Sequence, residues 1–232
     1  MDARTVSALA SLARWLTDPA NWQGSHGIPV RILEHIELSG LSVLVAVAVA
    51  MPIALYFGHT GRGGFVAINV ANIGRALPSL ALLAFGLVIA ISLGLGLGFW
   101  PTVFALVPLA IPPVLTNAYV AVREVDRDVV DAARGMGLSE SQILRSIEVP
   151  LGLPLMLSGI RTAAVNVVAT ATLGALVAGG ALGRFIVDGL ALQEYDQLMA
   201  GALLVALLAI VTEVSFAALE RATVPPGMVA IR

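Results

Sequence analysis

The chain contains no lysine and no cysteine, and little charge of either sign. Only 12% of its 232 residues are charged, and all thirteen basic residues are arginine. Without lysine there is no P-loop, whose lysine sits on the phosphates of a bound nucleotide, and no Schiff-base chemistry. Without cysteine there are no disulfides, thiolate zinc sites or cysteine nucleophiles. A net charge of −2 gives no electrostatic basis for binding nucleic acid. What is present is apolar: 58% of residues are hydrophobic and 23 more are glycine. A soluble domain has roughly 45–50% apolar residues with glycine included, and about twice this share of charge. The mean hydropathy is +0.93. Such a composition belongs to an integral membrane protein built of helices.

Charge-free runs locate the membrane segments. Residues 38–58, 76–122 and 162–183 carry no charge, and Glu213 is the only one in 197–219. A helix rises about 1.5 Å per residue and a bilayer core is about 30 Å thick, so one crossing takes about 20 apolar residues. The 47-residue run 76–122 is therefore two crossings, divided at Gly94, Gly96 and Gly98 and followed by Trp100 and Pro101. Five spans are expected, near 38–58, 76–95, 101–122, 152–178 and 198–219, in an all-α polytopic bundle. Arg62, Arg123, Arg127, Arg134, Arg145, Arg221 and Arg232 fall on one side, against Arg31 and Arg184 close to spans on the other. The positive-inside rule then puts the N-terminus outside and the C-terminus in the cytoplasm. Residues 1–36 form an external or interfacial head, 37–221 the membrane domain and 222–232 a cytoplasmic tail. The head lacks a signal peptide's layout. Val6, Leu9, Leu12 and Leu16 near one face suit a helix lying on the membrane surface; a poorly ordered terminus is the alternative.

The loop 123–150, between the third and fourth spans, is patterned. Asp126 and Asp128 precede Val129, and acids suit a helix N-terminus. Val129, Ala132, Ala133 and Met136 recur at helical spacing, and Gly135 and Gly137 end that helix, Gly137 as a left-handed cap. Ser139 to Gln142 is a capping box that opens a second short helix, with Ile143, Leu144 and Ile147 on its apolar face and Val149-Pro150 as its stop. A solvated knob does not need Met136, Leu138, Ile143 and Ile147, so either a partner groove covers them or the knob packs back on its own span ends.

The residues Asp131-Ala-Ala-Arg-Gly-Met-Gly137, followed by Ile147-Glu-Val-Pro150, resemble the EAA loop of binding-protein-dependent ABC importer permeases. That pattern reads Glu-Ala-Ala, three residues, Gly, nine residues, Ile-x-Leu-Pro. Ala132, Ala133, Gly137, Ile147 and Pro150 match, while Asp131 stands for Glu and Val149 for Leu. Ala71 to Ser79 resembles the segment opening the family's second core helix. Leu33–Ser39, Gly159–Ala164 and Val168–Leu173 resemble the osmoprotectant branch, whose substrates are glycine betaine, choline, carnitine or proline.

The resemblance implies the transmembrane fold of type I ABC importers. It also implies ATPase subunits that bind ATP-Mg, a second permease subunit, identical or homologous, and an extracytoplasmic substrate-binding protein. No cofactor is expected on this chain, which the resemblance makes a transport subunit and not an enzyme. The ATP-binding lysine it lacks must then belong to a partner. Asp131, Ala132, Ala133, Gly137, Leu138, Ser139, Glu140, Ile147 and Pro150 would form the coupling loop, with Leu138, Ser139 and Glu140 at the tip touching the ATPase. The spans, knob and head occupy all 232 residues, so the binding protein is expected as another chain.

Three polar residues lie at or within spans: Arg75, Arg161 and Glu213. Intramembrane charges are paired or functional; Arg161 with Glu213 is one pairing, and snorkelling or a pairing with Arg75 are alternatives. Gly94 with Gly98, and Gly179 with Gly183, fit backbone turning better than helix dimerisation, the second pair lying in a re-entrant stretch, 178–183. His26, His35 and His59 lack metal-ligand spacing and suit surface or interface roles. Trp15, Trp22 and Trp100 suit interfacial anchors more than an aromatic cage. Residues 185–196, with Asp188 and Glu194, form an external loop or surface helix, either meeting the binding protein or simply solvated. An EAA loop does not encode substrate, so a methionine-type amino-acid permease is a second reading. An intramembrane enzyme would need G-x-S-x-G, H-E-x-x-H or paired membrane aspartates, and a channel a carbonyl filter or charged ring; none is visible.

Overall fold

The structure, a computed structural model, describes residues 3–223 without the side chains of residues 3–8, Ile68 and Arg75. Among these residues it is helical with no strand. The order is α1 (Ala3–Thr17), a 3-10 turn (Pro19–Trp22), α2 (Ile28–Thr60), α3 (Gly64–Ala76), α4 (Ser79–Ser92) and α5 (Phe99–Arg123). Then come α6 (Arg127–Gly135), α7 (Glu140–Ile143), a π-type turn (Leu144–Glu148), α8 (Val149–Thr170), a 3-10 stretch (Ala171–Val177), α9 (Gly183–Ala191) and α10 (Tyr195–Thr223). The expected tail 222–232 lies outside the described residues from 224 onward, as does the side chain of Val6.

Four helical runs among the described residues are long and apolar enough to cross a membrane: Ile28–Thr60, Phe99–Arg123, Glu140–Val177 and Tyr195–Thr223. Among the described residues α3 and α4 reach the length and apolarity of a crossing only when taken together across the break between them. This corrects the continuous span expected at 76–95. The 14 residues of α4 reach only about 21 Å at 1.5 Å per residue, short of a bilayer core of about 30 Å. The break is at Leu77 and Pro78, which are extended with ψ of 121° and 123°. A proline pushes the residue before it out of the helical region.

Pro150 needs a second correction, because it does not stop a helix. The π-type turn before it runs directly into α8, one helical run from Glu140 to Val177, and the wider turn carries the chain past a residue that has no N–H to donate. The expected turn ahead of α5 forms as read: Gly94, Gly96 and Gly98 have φ of +70°, +77° and +83°, in the left-handed region.

The chain divides into two compact units. The first draws on the described residues of Met1–Ser42, Pro78–Leu106 and Asn166–Val211, the second on those of Val43–Leu77, Val107–Val165 and Thr212–Arg232. The first is centred on Ile28, Leu182, Phe185 and Val205, with Trp15 and Ile32 packed against them. The Trp15 ring stands edge-on to Phe185 at 5.4 Å, so the head is a docked helix. Asn21 and Trp22 hold the following turn by donating to the Trp15 and Leu16 carbonyls at 2.8 and 2.7 Å. The segment beginning at Phe185 is the helix α9, with Phe185 in that core. The 178–183 stretch is fixed by Glu34, whose carboxylate accepts from the Ala181 N–H at 2.7 Å. His35 corrects another expectation. It is fully buried, not at a surface, with Nε2 2.8 Å from the Val168 carbonyl oxygen.

Candidate functional site

The loop between α5 and α8, within the second unit, gathers most of the residues singled out by the sequence. Asp126 caps α6 by accepting from the Asp128 N–H at 2.9 Å. The helix ends as its glycines require. Gly137 has φ +88° and donates to the Arg134 carbonyl at 2.9 Å, and Leu138 N–H donates to the Ala133 carbonyl at 3.2 Å. That pair of bonds is a Schellman closure. A Cβ at Gly137 would meet nothing within 4 Å, so its backbone conformation alone calls for glycine. Ser139 and Gln142 form the expected capping box, in which the Gln142 carbonyl accepts from Ser139 N–H at 2.8 Å.

Several apolar residues of the loop pack on one another. Val125, Val130, Ala133 and Ile143 form a buried cluster of their own, with Leu138 and Ile147 packed against it and half-buried. The loop is a small folded unit with its own core. Met136 does project, 74% exposed. Asp131, Ala132, Ser139 and Glu140 are exposed beside it, whereas Ala133 is core and Pro150 half-buried. The short core makes a rigid platform, and the exposed residues are what a partner can touch.

Charge stiffens the tip. Arg134 donates through Nε and Nη2 to Glu140 at 2.8 and 3.0 Å and through Nη1 to Asp131 at 3.0 Å. The Arg134 hydrogen bond holds the Glu140 carboxyl below the usual carboxylate range. His59, in the last turn of α2, meets the same network: Nε2 is 3.1 Å from Glu140 and Nδ1 is 2.5 Å from Glu148. Glu148 is fully buried, and its second oxygen, Oε1, has no hydrogen-bond partner among the described residues. Sequence reading gave His59 a surface or interface role and did not single out Glu148 or their pairing, because nothing in a linear pattern links positions 89 apart.

Within the spans, Arg161 sits 3.6 Å from Glu213 and 3.3 Å from Glu220. The anticipated pair is thus a triad whose acids lie seven residues, about two turns, apart on α10. Arg75 belongs to α3 by its backbone, and its side chain lies outside the described residues. In the first unit a cavity of about 790 Å³ is lined by Trp15, His26, Arg31, Glu34, Arg184 and Asp188 among others. Its charges meet one another, Arg31 with Glu34 at 2.8 Å and Arg184 with Asp188 at 2.9 Å. Among the described residues no group of three or more His, Asp or Glu side chains is arranged to hold a metal ion.

Comparison with known proteins places this arrangement. Residues 42–225 match the family model described as "Binding-protein-dependent transport system inner membrane component". The chain is 35% identical to the choline transport system permease protein OpuBB of Bacillus subtilis, over 84% of this chain and 88% of that one. It is 34% identical to the carnitine transport permease protein OpuCB of Listeria monocytogenes, over 89% and 92%. Among solved structures, a chain of the MetNI methionine ABC transporter superposes with a TM-score of 0.72 at 20% identity, covering 83% of this chain and 94% of that one.

Proposed function

The chain belongs to the family of binding-protein-dependent transport system inner membrane components, and from that premise we propose that it imports osmoprotectants such as glycine betaine, choline, carnitine or proline. It is a multi-pass membrane permease subunit of an ABC importer, a transport component and not an enzyme. The observation that carries the substrate class is the likeness, over most of the chain, to permeases named for choline and for carnitine. The likeness to a methionine transporter, at 20% identity, concerns the fold alone.

In this reading the 123–150 loop is the coupling element and faces the cytoplasm, with the N-terminus outside. Two ATPase subunits, binding ATP-Mg, grip the exposed tip formed by Asp131, Ala132, Met136, Ser139 and Glu140. The rigid core beneath passes their closure on to the spans that flank the loop. The site alternates between outward and inward access, biased by the nucleotide state of the partner. An external binding protein delivers substrate, and a second permease subunit, identical or homologous, completes the pathway.

The test is reconstitution in proteoliposomes with the cognate ATPase and binding protein, measuring ATP-dependent uptake of labelled betaine, choline, carnitine, proline and methionine. Uptake of the quaternary ammonium compounds is expected. Uptake of methionine alone would replace the substrate class. Gly137→Asp is expected to leave the ATPase associated while uptake falls below about a tenth, since a side chain resists the left-handed turn. Wild-type uptake in that variant would remove the loop from the coupling role.

A further inference from the structure

The loop lies between α5 and α8 in the chain, so both helices move with it through covalent bonds. The helix α2 has no such connection. Its last turn carries His59, and that one ring touches the loop at two places 8 residues apart: Glu140, which opens α7, and Glu148, at the end of the π-type turn. Each contact sets one ring nitrogen against one carboxylate oxygen, so the ring bridges the two carboxylates through its two edges. Glu148 is fully buried, and among the described residues its other oxygen has no hydrogen-bond partner and His59 is the side chain that meets its carboxylate. Glu140 in turn is held by Arg134, and Arg134 by Asp131. The result is a continuous chain of polar contacts, from the exposed residues of the tip to the end of a spanning helix.

We propose that His59 is the positioning residue that fastens α2 to the coupling loop, so that motion of the loop is delivered to α2 as well as to α5 and α8. The proposal rests on the reading of the 123–150 loop as the coupling element. With the fastening in place, ATP hydrolysis and substrate movement stay in proportion. Without it the loop still docks and the ATPase still turns over, but α2 no longer follows. Arginine can stand in for the ring, since its guanidinium presents N–H donors on two edges and can serve two carboxylates at once. Glutamine is the poorer stand-in, because both its N–H donors lie on one nitrogen and its other edge is an acceptor oxygen.

The experiment uses the reconstituted complex with ATPase and binding protein, and reads hydrolysis and betaine uptake on the same proteoliposomes. In His59→Ala, hydrolysis is expected within about twofold of wild type while uptake per ATP falls at least fivefold. In His59→Arg, uptake per ATP is expected to return to within twofold. Should His59→Ala fail to assemble, His59→Gln against His59→Arg decides, since both fill the space of the ring. Low uptake per ATP in the first and near-normal in the second supports the fastening, and equal values overturn it. Wild-type uptake per ATP in His59→Ala also overturns it. Gly137→Asp separates this outcome from failure of the broader reading: if that variant loses uptake while His59→Ala keeps its ratio, the coupling loop stands and only the role of His59 falls.

Discussion

The two units of the chain use charge differently in joining distant segments. In the first, two long links end on backbone, His35 reaching the Val168 carbonyl across 133 positions and Glu34 accepting from the Ala181 N–H across 147, while the Ser11 hydroxyl donates to the Asp196 carboxylate at 2.7 Å across 185. In the second they end on side chains: His59 meets Glu148 across 89 positions, and Arg161 meets Glu213 and Glu220. A backbone group is always present and changes only if the chain is rebuilt, so the first kind of link fixes a frame. An ion pair is strong but can open and re-form with rotamers. It suits a place where force enters from a partner.

If that contrast is real, breaking the two histidines should give opposite signatures. His35→Leu strands a buried carbonyl, which costs about 1–3 kcal/mol, and adds no new partner. The purified protein should melt lower, while complexes that survive should retain normal uptake per ATP. A fall in that ratio at unchanged melting temperature would erase the distinction from His59. The smaller test is pH. Glu140 is held below the ordinary carboxylate range by Arg134, so its contribution is complete above that range and is lost as pH falls through its lowered value. Protection of the amides in α6 and α7, taken relative to unstructured peptide at the same pH, should fall on acidification through that window. In Glu140→Gln the same step should be missing; an equal step in both would show that the Arg134 contact does not stiffen the tip.

Legibility in the sequence tracked how local the cause was. The Schellman end at Gly137 and the capping box from Ser139 are written in residues a few positions apart, and both formed where expected. The spans were legible because hydrocarbon leaves no choice but helices free of charge. The break at Leu77 was also written, in Pro78, but a 47-residue charge-free run outweighed it. Pro150 was misread because a rule for helix interiors says nothing of a π-type turn that hands the chain on. For Leu138, Ile143 and Ile147 the sequence leaves two covers open, because periodicity reports which face is apolar and not what covers it; the structure packs them on the loop's own core. Glu220 had a weak signal, its seven-residue spacing from Glu213, whereas His59 with Glu148 had none.

The central claim, that the tip of the 123–150 loop is gripped by an ATPase, can be tested directly because the chain has no cysteine. Met136→Cys places a single thiol at the most exposed apolar position of the loop, where a photoactivatable maleimide can be attached. On irradiation of the assembled complex the label is expected to join this chain to the ATPase subunit, in good yield and at one site. Adducts with lipid or with the binding protein, and none with the ATPase, would contradict it.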